Sequence, residues 1–117
     1  MAKILLAEDD ASVGAFVTRA LRQQGHAVTH VGDGLAALAA LAGDPFDLLL
    51  TDIVMPELDG IALALKASKD YPAMKILLMT GYAAERQRAH NLEALVHRVI
   101  MKPFTLDEIQ AAVASLL

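Results

Sequence analysis

The sequence predicts an α/β fold, a single doubly wound (βα)5 domain built on a five-stranded parallel sheet. Short apolar runs alternate along the chain with stretches in which apolar residues recur at helical spacing. Two of these runs are almost wholly aliphatic, which is typical of strands covered on both faces. Such an alternation builds a parallel sheet between two layers of helices. The 117 residues, 56% of them hydrophobic, suffice for one compact core.

Each apolar run is a predicted strand, and the strands are Lys3–Ala7, Ala27–Val31, Asp47–Thr51, Lys75–Thr80 and Arg98–Met101. The helices predicted between and after them are marked by apolar stripes within 13–21, 35–41 and 106–116, and by the weaker patterns of 58–69 and 83–95. Helix ends are expected at Gly25, Asp33-Gly34, Asp59-Gly60 and a capping box of Thr105 with Glu108.

Composition excludes several classes of protein. The net charge of −4 and the lack of a basic patch argue against direct nucleic-acid binding. With no cysteine, the chain has no disulfide, no thiolate metal site and no cysteine nucleophile. The sequence shows no signal peptide and no membrane span, so we expect a soluble, cytoplasmic protein, most simply a monomer.

Polar residues stand at the ends of four predicted strands. Glu8 and Asp9 follow the first strand and Asp52 follows the third, while Thr80 ends the fourth and Lys102 follows the fifth. Because ligands of such folds bind beyond the carboxyl ends of the strands, these side chains are expected at one edge of the sheet.

Converging carboxylates favour a hard divalent cation, and Mg²⁺ fits best. The lysine ammonium can hold a phosphoryl oxygen, the threonine hydroxyl adds a hydrogen bond, and an aspartate can be the nucleophile that forms an acyl phosphate. The residues themselves therefore predict a Mg²⁺-dependent aspartyl-phosphorylation site.

Each residue also has a plainer interpretation. Asp52 could be a helix N-cap, Glu8 and Asp9 solvated acids at a strand end, Thr80 a β-branched strand terminus and Lys102 a surface lysine. The four histidines have no ligand spacing and are interpreted as surface or boundary residues.

Four segments, ILLAEDD, DLLLTDIVMPELDG, ILLMTGYA and MKPF, occur in this order, each at a predicted strand end. In these the chain resembles the receiver domains of bacterial two-component response regulators, which have the CheY-like, flavodoxin-like fold with strand order 2-1-3-4-5. The resemblance covers essentially the whole chain. Within the family the chain is most similar to stand-alone receivers of the CpdR type, adaptors tied to cell-cycle-regulated proteolysis.

The resemblance implies a role for each matching residue. Asp52 matches the phosphoacceptor. Glu8 and Asp9 match the acidic pair that holds Mg²⁺, with Asp9 the more direct ligand, and the backbone carbonyl of Val54 completes the protein ligands. Thr80 matches the switch hydroxyl, and Lys102 matches the lysine that pairs with the phosphoryl group.

Neighbouring positions follow the family pattern with one departure. Pro103 is expected to follow a cis peptide bond, Gly81 to leave the approach to Asp52 open, and Asp10 to cap the first helix. Receivers commonly carry Tyr or Phe three residues before the lysine, and here that position is Val99. Tyr82 is a candidate substitute, and the segment between Asp52 and Thr80 is slightly shorter than in the family.

The resemblance further implies that a histidine kinase or a histidine phosphotransfer protein supplies the phosphoryl group. A protein partner, in a protease system for CpdR-type receivers, would read the state at the surface of the fourth helix, fifth strand and fifth helix. The chain ends after its last helix, so we expect one receiver domain over 1–117 without an effector domain. The resemblance also leads us to expect a phosphoacceptor with limited self-phosphorylation and self-dephosphorylation, and not a metabolic enzyme.

Two alternatives stay open at this point. The chain could be a phosphorelay intermediate or phosphate sink with no output surface. It could also be a small aspartyl-nucleophile phosphatase, although Val54 stands where that class carries its general acid.

Overall fold

The computed structural model describes residues 2–81 and 97–117. The elements of these residues are, in chain order, β1 (Lys3–Ala7), α1 (Ala11–Gln23), β2 (Ala27–Val31), α2 (Gly34–Gly43), β3 (Leu48–Asp52), α3 (Gly60–Asp70), β4 (Lys75–Thr80), β5 (Arg98–Met101) and α4 (Leu106–Ala114). The helix predicted as the fifth is thus α4, and the helix predicted over 83–95 lies outside the described residues. In the part of the chain that the structure describes, every helix is too short or too polar to cross a bilayer.

The five strands form one sheet in the order β2-β1-β3-β4-β5, and every neighbouring pair is parallel. The predicted fold class is therefore confirmed. Four strands have the predicted bounds, whereas β3 lies one residue further along the chain than the prediction. The reason is that Asp52 continues the ladder and pairs with Met79 of β4.

Helices cover both faces of the sheet, because the central strands turn aliphatic side chains to each side in alternation. On one face Leu5 and Leu49 pack in a buried cluster with residues of α2 and α3. On the other face Leu6 and Leu50 pack in a second cluster with residues of α1 and α4. The two layers hold the sheet rigid, so that the loops at its carboxyl edge start from fixed positions.

Side chains at the carboxyl edge of the sheet cap the N-termini of the helices. The carboxylates of Asp10, Asp33 and Asp59 accept hydrogen bonds from backbone amides in the first turns of α1, α2 and α3. Thr105 and Glu108 form the predicted capping box of α4, with bonds of 2.9 and 3.1 Å. Helix α3 begins two residues later than predicted, because Asp59 holds the cap position.

Candidate functional site

The strand-end residues meet at one point of the carboxyl edge. Lys102 follows β5, and its Nζ lies 2.9 Å from Oε2 of Glu8, which follows β1. The same Nζ lies 3.3 Å from Oδ1 of Asp52, the last residue of β3. Strand order places β1 and β3 side by side at the centre, so that their end residues are neighbours. One cation thus pairs with two buried carboxylates from two strands.

The acids also form a group that could hold a metal ion. Glu8, Asp9 and Asp52 each offer one carboxylate oxygen, and these three atoms lie within 4.8 Å of one another. Glu8 is 1% exposed and Asp52 7% exposed, whereas Asp9 is open to solvent. Hard oxygen donors beside an open face suit Mg²⁺, which keeps several of its waters when bound to proteins. The donor set therefore fits this ion.

Burial determines the electrostatics of Asp52. Desolvation, helped by the negative charge of Glu8, raises the pKa of Asp52 to about 6. The charge and hydrogen bond of Lys102 and the hydrogen bond of 3.0 Å from the Ile53 amide act in the opposite direction. The carboxylate is consequently a costly anion to maintain, and a bound cation would offset that cost.

The two carboxylates in turn stabilise the charged form of Lys102. Burial alone would lower the pKa of Lys102, but the hydrogen bond to Glu8 and the charges of Asp52 and Glu8 outweigh it, so that the pKa is raised. The side chain is therefore a permanent ammonium at neutral pH.

The backbone fixes where Lys102 stands. Its amide donates a hydrogen bond of 2.7 Å to the carbonyl of Thr80, the last residue of β4. Thr80 is fully buried and is paired across the ladder with Met101. The peptide bond between Lys102 and Pro103 is cis. The bond between the Lys102 amide and the Thr80 carbonyl thus holds the ends of β4 and β5 together, with the Lys102 side chain directed at the acids.

Gly60 sets the position of Asp52, a role that the sequence did not indicate. A Cβ at Gly60 would overlap the carbonyl oxygen of Asp52, and the Gly60 amide donates a hydrogen bond of 2.8 Å to the carbonyl of Ile53. The first turn of α3 is therefore pressed against the end of β3. The Asp59-Gly60 pair carried only a signal for a turn or cap, and the close approach requires the three-dimensional fold.

The remaining predicted positions are placed as follows. Among the residues that the structure describes, no atom lies within 4 Å of the position that a Cβ of Gly81 would take. Val54 is 55% exposed in the loop after β3. Val99 is partly buried and packs against the cluster formed with α2 and α3. Tyr82 lies outside the described residues.

Asp10 is set apart from the other acids. Its Oδ1 accepts hydrogen bonds from the amides of Ser12 and Val13 and from the Ser12 hydroxyl. The hydroxyl of Ser12 and these two amides lower the pKa of Asp10. The side chain is therefore engaged in capping α1, the role expected from the sequence.

The three histidines among the described residues bind backbone groups near strand ends, a role that the sequence pattern did not indicate. Nδ1 of His26 accepts a hydrogen bond of 3.1 Å from the Ala2 amide, and Nδ1 of His97 accepts one of 2.9 Å from the Ile76 amide. Burial is the main cause that lowers the pKa of both rings, as expected for groups held as neutral acceptors. His30 instead reaches the carboxyl edge, where its Nε2 lies 2.9 Å from the carbonyl oxygen of Glu8.

Comparison with known proteins adds an independent observation. The family model of the response regulator receiver domain matches residues 4–114. A curated relative, the response regulator receiver protein CpdR of Brucella abortus, is 44% identical over 93% of this chain and 91% of its own length. Two further relatives are longer than this chain: the transcriptional regulatory protein TcrA of Mycobacterium tuberculosis is 32% identical, and the transcriptional activator protein PfeR of Pseudomonas aeruginosa is 36% identical. The matches cover 97% and 98% of this chain but only 45% and 37% of those proteins.

Solved structures agree with the fold. The chemotaxis response regulator CheY4 of Vibrio cholerae is 24% identical and superposes with a TM-score of 0.91 over 100% of this chain and 99% of its own. The response regulator protein TrrA of Thermotoga maritima, solved in complex with Mg²⁺ and BeF, is 26% identical with a TM-score of 0.90 over the full length of both chains.

Proposed function

The chain belongs to the response regulator receiver domains of two-component systems, and on that basis we propose that it is a single-domain regulator phosphorylated on Asp52. The observation that carries the proposal is the position of Lys102 Nζ between the buried carboxylates of Glu8 and Asp52. Phosphoryl transfer to a carboxylate requires an acceptor carboxylate, a positive charge beside it and a site for Mg²⁺. Asp52, Lys102 and the acid cluster of Glu8, Asp9 and Asp52 supply these parts.

The metal site in this proposal consists of Glu8, Asp9, Asp52 and the backbone carbonyl of Val54. Asp9 is the solvent-exposed member and would be a direct ligand of the ion. When bound, Mg²⁺ supplies positive charge that neutralises the phosphoryl oxygens and the acceptor carboxylate. TrrA, solved with Mg²⁺ and BeF, supports this choice of ion for a chain of the same fold.

The transfer step needs a phosphohistidine, supplied by a histidine kinase or a histidine phosphotransfer protein. A carboxylate oxygen of Asp52 attacks the phosphorus atom, the P–O bond forms as the P–N bond breaks, and the electron pair of that bond returns to the donor imidazole. Lys102 pairs with a phosphoryl oxygen as it arrives. None of the described residues fills the space where a Gly81 Cβ would stand, which supports an approach of the donor from that side. Catalysis by the chain itself is limited to gaining and losing this group.

The signal passes through Thr80 and Lys102. We propose that the hydroxyl of Thr80 moves toward the phosphoryl group and that Lys102 exchanges its pair with Asp52 for one with the phosphate. Because the Lys102 amide is hydrogen-bonded to the Thr80 carbonyl, both movements act on the same backbone segment. Together they shift the equilibrium between its two conformations. Val99 fills the position at which many receivers carry a ring, so that Thr80 acts here without an aromatic partner at that site.

The output in this proposal is a protein partner that binds the surface containing β5 and α4 together with the predicted fourth helix. The similarity to CpdR over 91% of that protein supports a stand-alone receiver in place of a DNA-binding regulator. A protease system under cell-cycle control is the partner that the CpdR-type resemblance favours. We propose no direct contact with nucleic acid.

Mass spectrometry of the intact protein tests the proposal. After incubation with acetyl phosphate, the wild type should gain one phosphoryl group with Mg²⁺ and none with a chelator, and hydroxylamine should remove it, as expected for an acyl phosphate. Asp52→Asn should gain none. Asp70→Asn, which changes an exposed aspartate at the end of α3, is the matched control and should behave as the wild type. Full phosphorylation of Asp52→Asn would overturn the assignment.

A further inference from the structure

The backbone of Glu8 is held by two residues of β2. Its amide donates a hydrogen bond of 3.0 Å to the carbonyl of Val31. Its carbonyl oxygen lies 2.9 Å from Nε2 of His30, and since a carbonyl only accepts, the Nε2–H donates. The peptide unit that joins Glu8 to Asp9 is therefore fixed by a side chain from the neighbouring strand.

Gly14 makes room for this histidine. A Cβ at Gly14 would overlap the His30 ring, whose atoms are the three nearest to that position. Gly14 lies in the first turn of α1, and its amide donates a hydrogen bond of 2.9 Å to the carbonyl of Asp10. The imidazole is thus seated between the Gly14 backbone and the Glu8 carbonyl, while its other side faces solvent.

The contact acts on the acid cluster. The Glu8–Asp9 peptide carries the two acids of the candidate metal site on either side of it, so that a rotation of this peptide moves both carboxylates. The other hydrogen bonds of Glu8 to described residues are made by its carboxylate, which accepts from the Asp10 amide at 3.1 Å and from Lys102. Since Mg²⁺ demands near-ideal octahedral geometry, small displacements of its ligands reduce its affinity.

We propose that His30, seated against Gly14, is a positioning residue that fixes the Glu8–Asp9 peptide and thereby sets the Mg²⁺ affinity of the acid cluster. The inference rests on the proposed function, in which Glu8 and Asp9 hold Mg²⁺. Partners that orient metal ligands typically contribute 10–100-fold to metal affinity. We expect loss of the His30 donor to weaken Mg²⁺ binding by about tenfold.

Titration calorimetry with Mg²⁺ alone tests the role of the His30 Nε2–H as a hydrogen-bond donor. His30→Phe keeps a flat ring and loses the Nε2–H, so its dissociation constant should rise about tenfold. His30→Gln places an amide donor at similar reach and should restore most of the affinity. His97→Phe is the matched control at the opposite edge of the sheet; it should keep the wild-type dissociation constant even where its urea midpoint falls.

A double-mutant cycle tests the contact between Gly14 and the His30 ring. Gly14→Ala should displace the ring and weaken Mg²⁺ binding about as much as His30→Ala. In the His30→Ala background the added methyl group has room, so the double variant should bind no more weakly than His30→Ala alone. Circular dichroism checks that each variant is folded.

The possible results are distinguishable. Wild type that binds no Mg²⁺ would overturn the proposed function and this inference with it. Wild type that binds Mg²⁺, with His30→Phe binding equally well or with additive effects of Gly14→Ala and His30→Ala, would overturn only the inference.

Discussion

The amide of Lys102 donates a hydrogen bond of 2.7 Å to the carbonyl of Thr80, which joins the two residues proposed to contact the phosphoryl group. Thr80 is fully buried at the end of β4, and Lys102 directs its ammonium at Glu8 and Asp52. A change at either side chain is therefore transmitted to the same backbone segment.

Thr80→Ala should separate phosphorylation from this response. The variant retains Asp52, the acids and Lys102, and should take up one phosphoryl group from acetyl phosphate. Beryllofluoride with Mg²⁺ should shift the amide resonances of residues 98–102 and of Phe104 in the wild type. These shifts should shrink in the variant because the hydroxyl that moves toward the phosphoryl group is gone. Unreduced shifts would contradict the proposed part of Thr80.

Lys102→Met should change two properties in opposite directions. Without the ammonium, the acids lose a competing cation, so Mg²⁺ should bind about tenfold more tightly. The rate of phosphorylation by acetyl phosphate should nevertheless fall about 100-fold, since the charge that neutralises the arriving phosphoryl group is missing. Calorimetry and intact-mass time courses measure the two effects.

Lys69→Met, a change of an exposed lysine in the last turn of α3, is the control for Lys102→Met and should alter neither property. A parallel loss of Mg²⁺ affinity and rate in Lys102→Met would instead indicate that the site had collapsed.

Asp52→Asn should stabilise the fold in a pH-dependent manner. The pKa of Asp52 is raised to about 6 in the folded protein from an ordinary value of 3.8. Between these values the native state retains a proton that the unfolded state releases, so the free energy of unfolding falls as pH rises from about 4 to about 6. At neutral pH, with a chelator present, the variant should be more stable than the wild type by roughly 1–3 kcal/mol.

Urea unfolding of both proteins at about pH 4 and about pH 7.5 measures this difference. The advantage of Asp52→Asn should shrink at the acid end, where the wild-type carboxyl is protonated. An advantage of equal size at both values would contradict the assignment of the raised pKa to Asp52.

Gly60→Ala should disturb the acceptor through the backbone. Its methyl group meets the carbonyl oxygen of Asp52, so either α3 or the end of β3 must shift, and the free energy of unfolding should fall by about 1–3 kcal/mol. Phosphorylation of Asp52 should slow as well. Gly43→Ala is the matched control and should leave both unchanged, because no described atom lies within 4 Å of the added group.

The sheet was predictable because its signal is local. Continuous aliphatic runs identify buried strands without reference to the rest of the chain, and the turn and cap residues mark where helices begin. The exception is the end of β3. The charge of Asp52 predicts that the strand ends before it, but Asp52 still pairs with Met79. That pairing depends on the neighbouring strand, which local patterns do not describe.

The site was predictable only as a set of residue types at strand ends. Three contacts hold the site in place and join residues that share no sequence periodicity. They are the packing of His30 on Gly14, the hydrogen bond of His30 to Glu8 and the contact of Gly60 with Asp52. Such contacts arise from the packing of whole elements. The sequence could therefore suggest which side chains perform the chemistry, and not which residues hold them in place.

The bond between Glu8 and Lys102 spans 94 positions of the chain. During synthesis the acids emerge from the ribosome long before the lysine, and β5 must dock on β4 before the ammonium can reach them. Under the proposed function, a nascent or C-terminally nicked chain would display the acceptor without the cation that makes it reactive. Competence for phosphorylation would then report that all five strands have been translated and have docked, so that chains without β5 would not be phosphorylated.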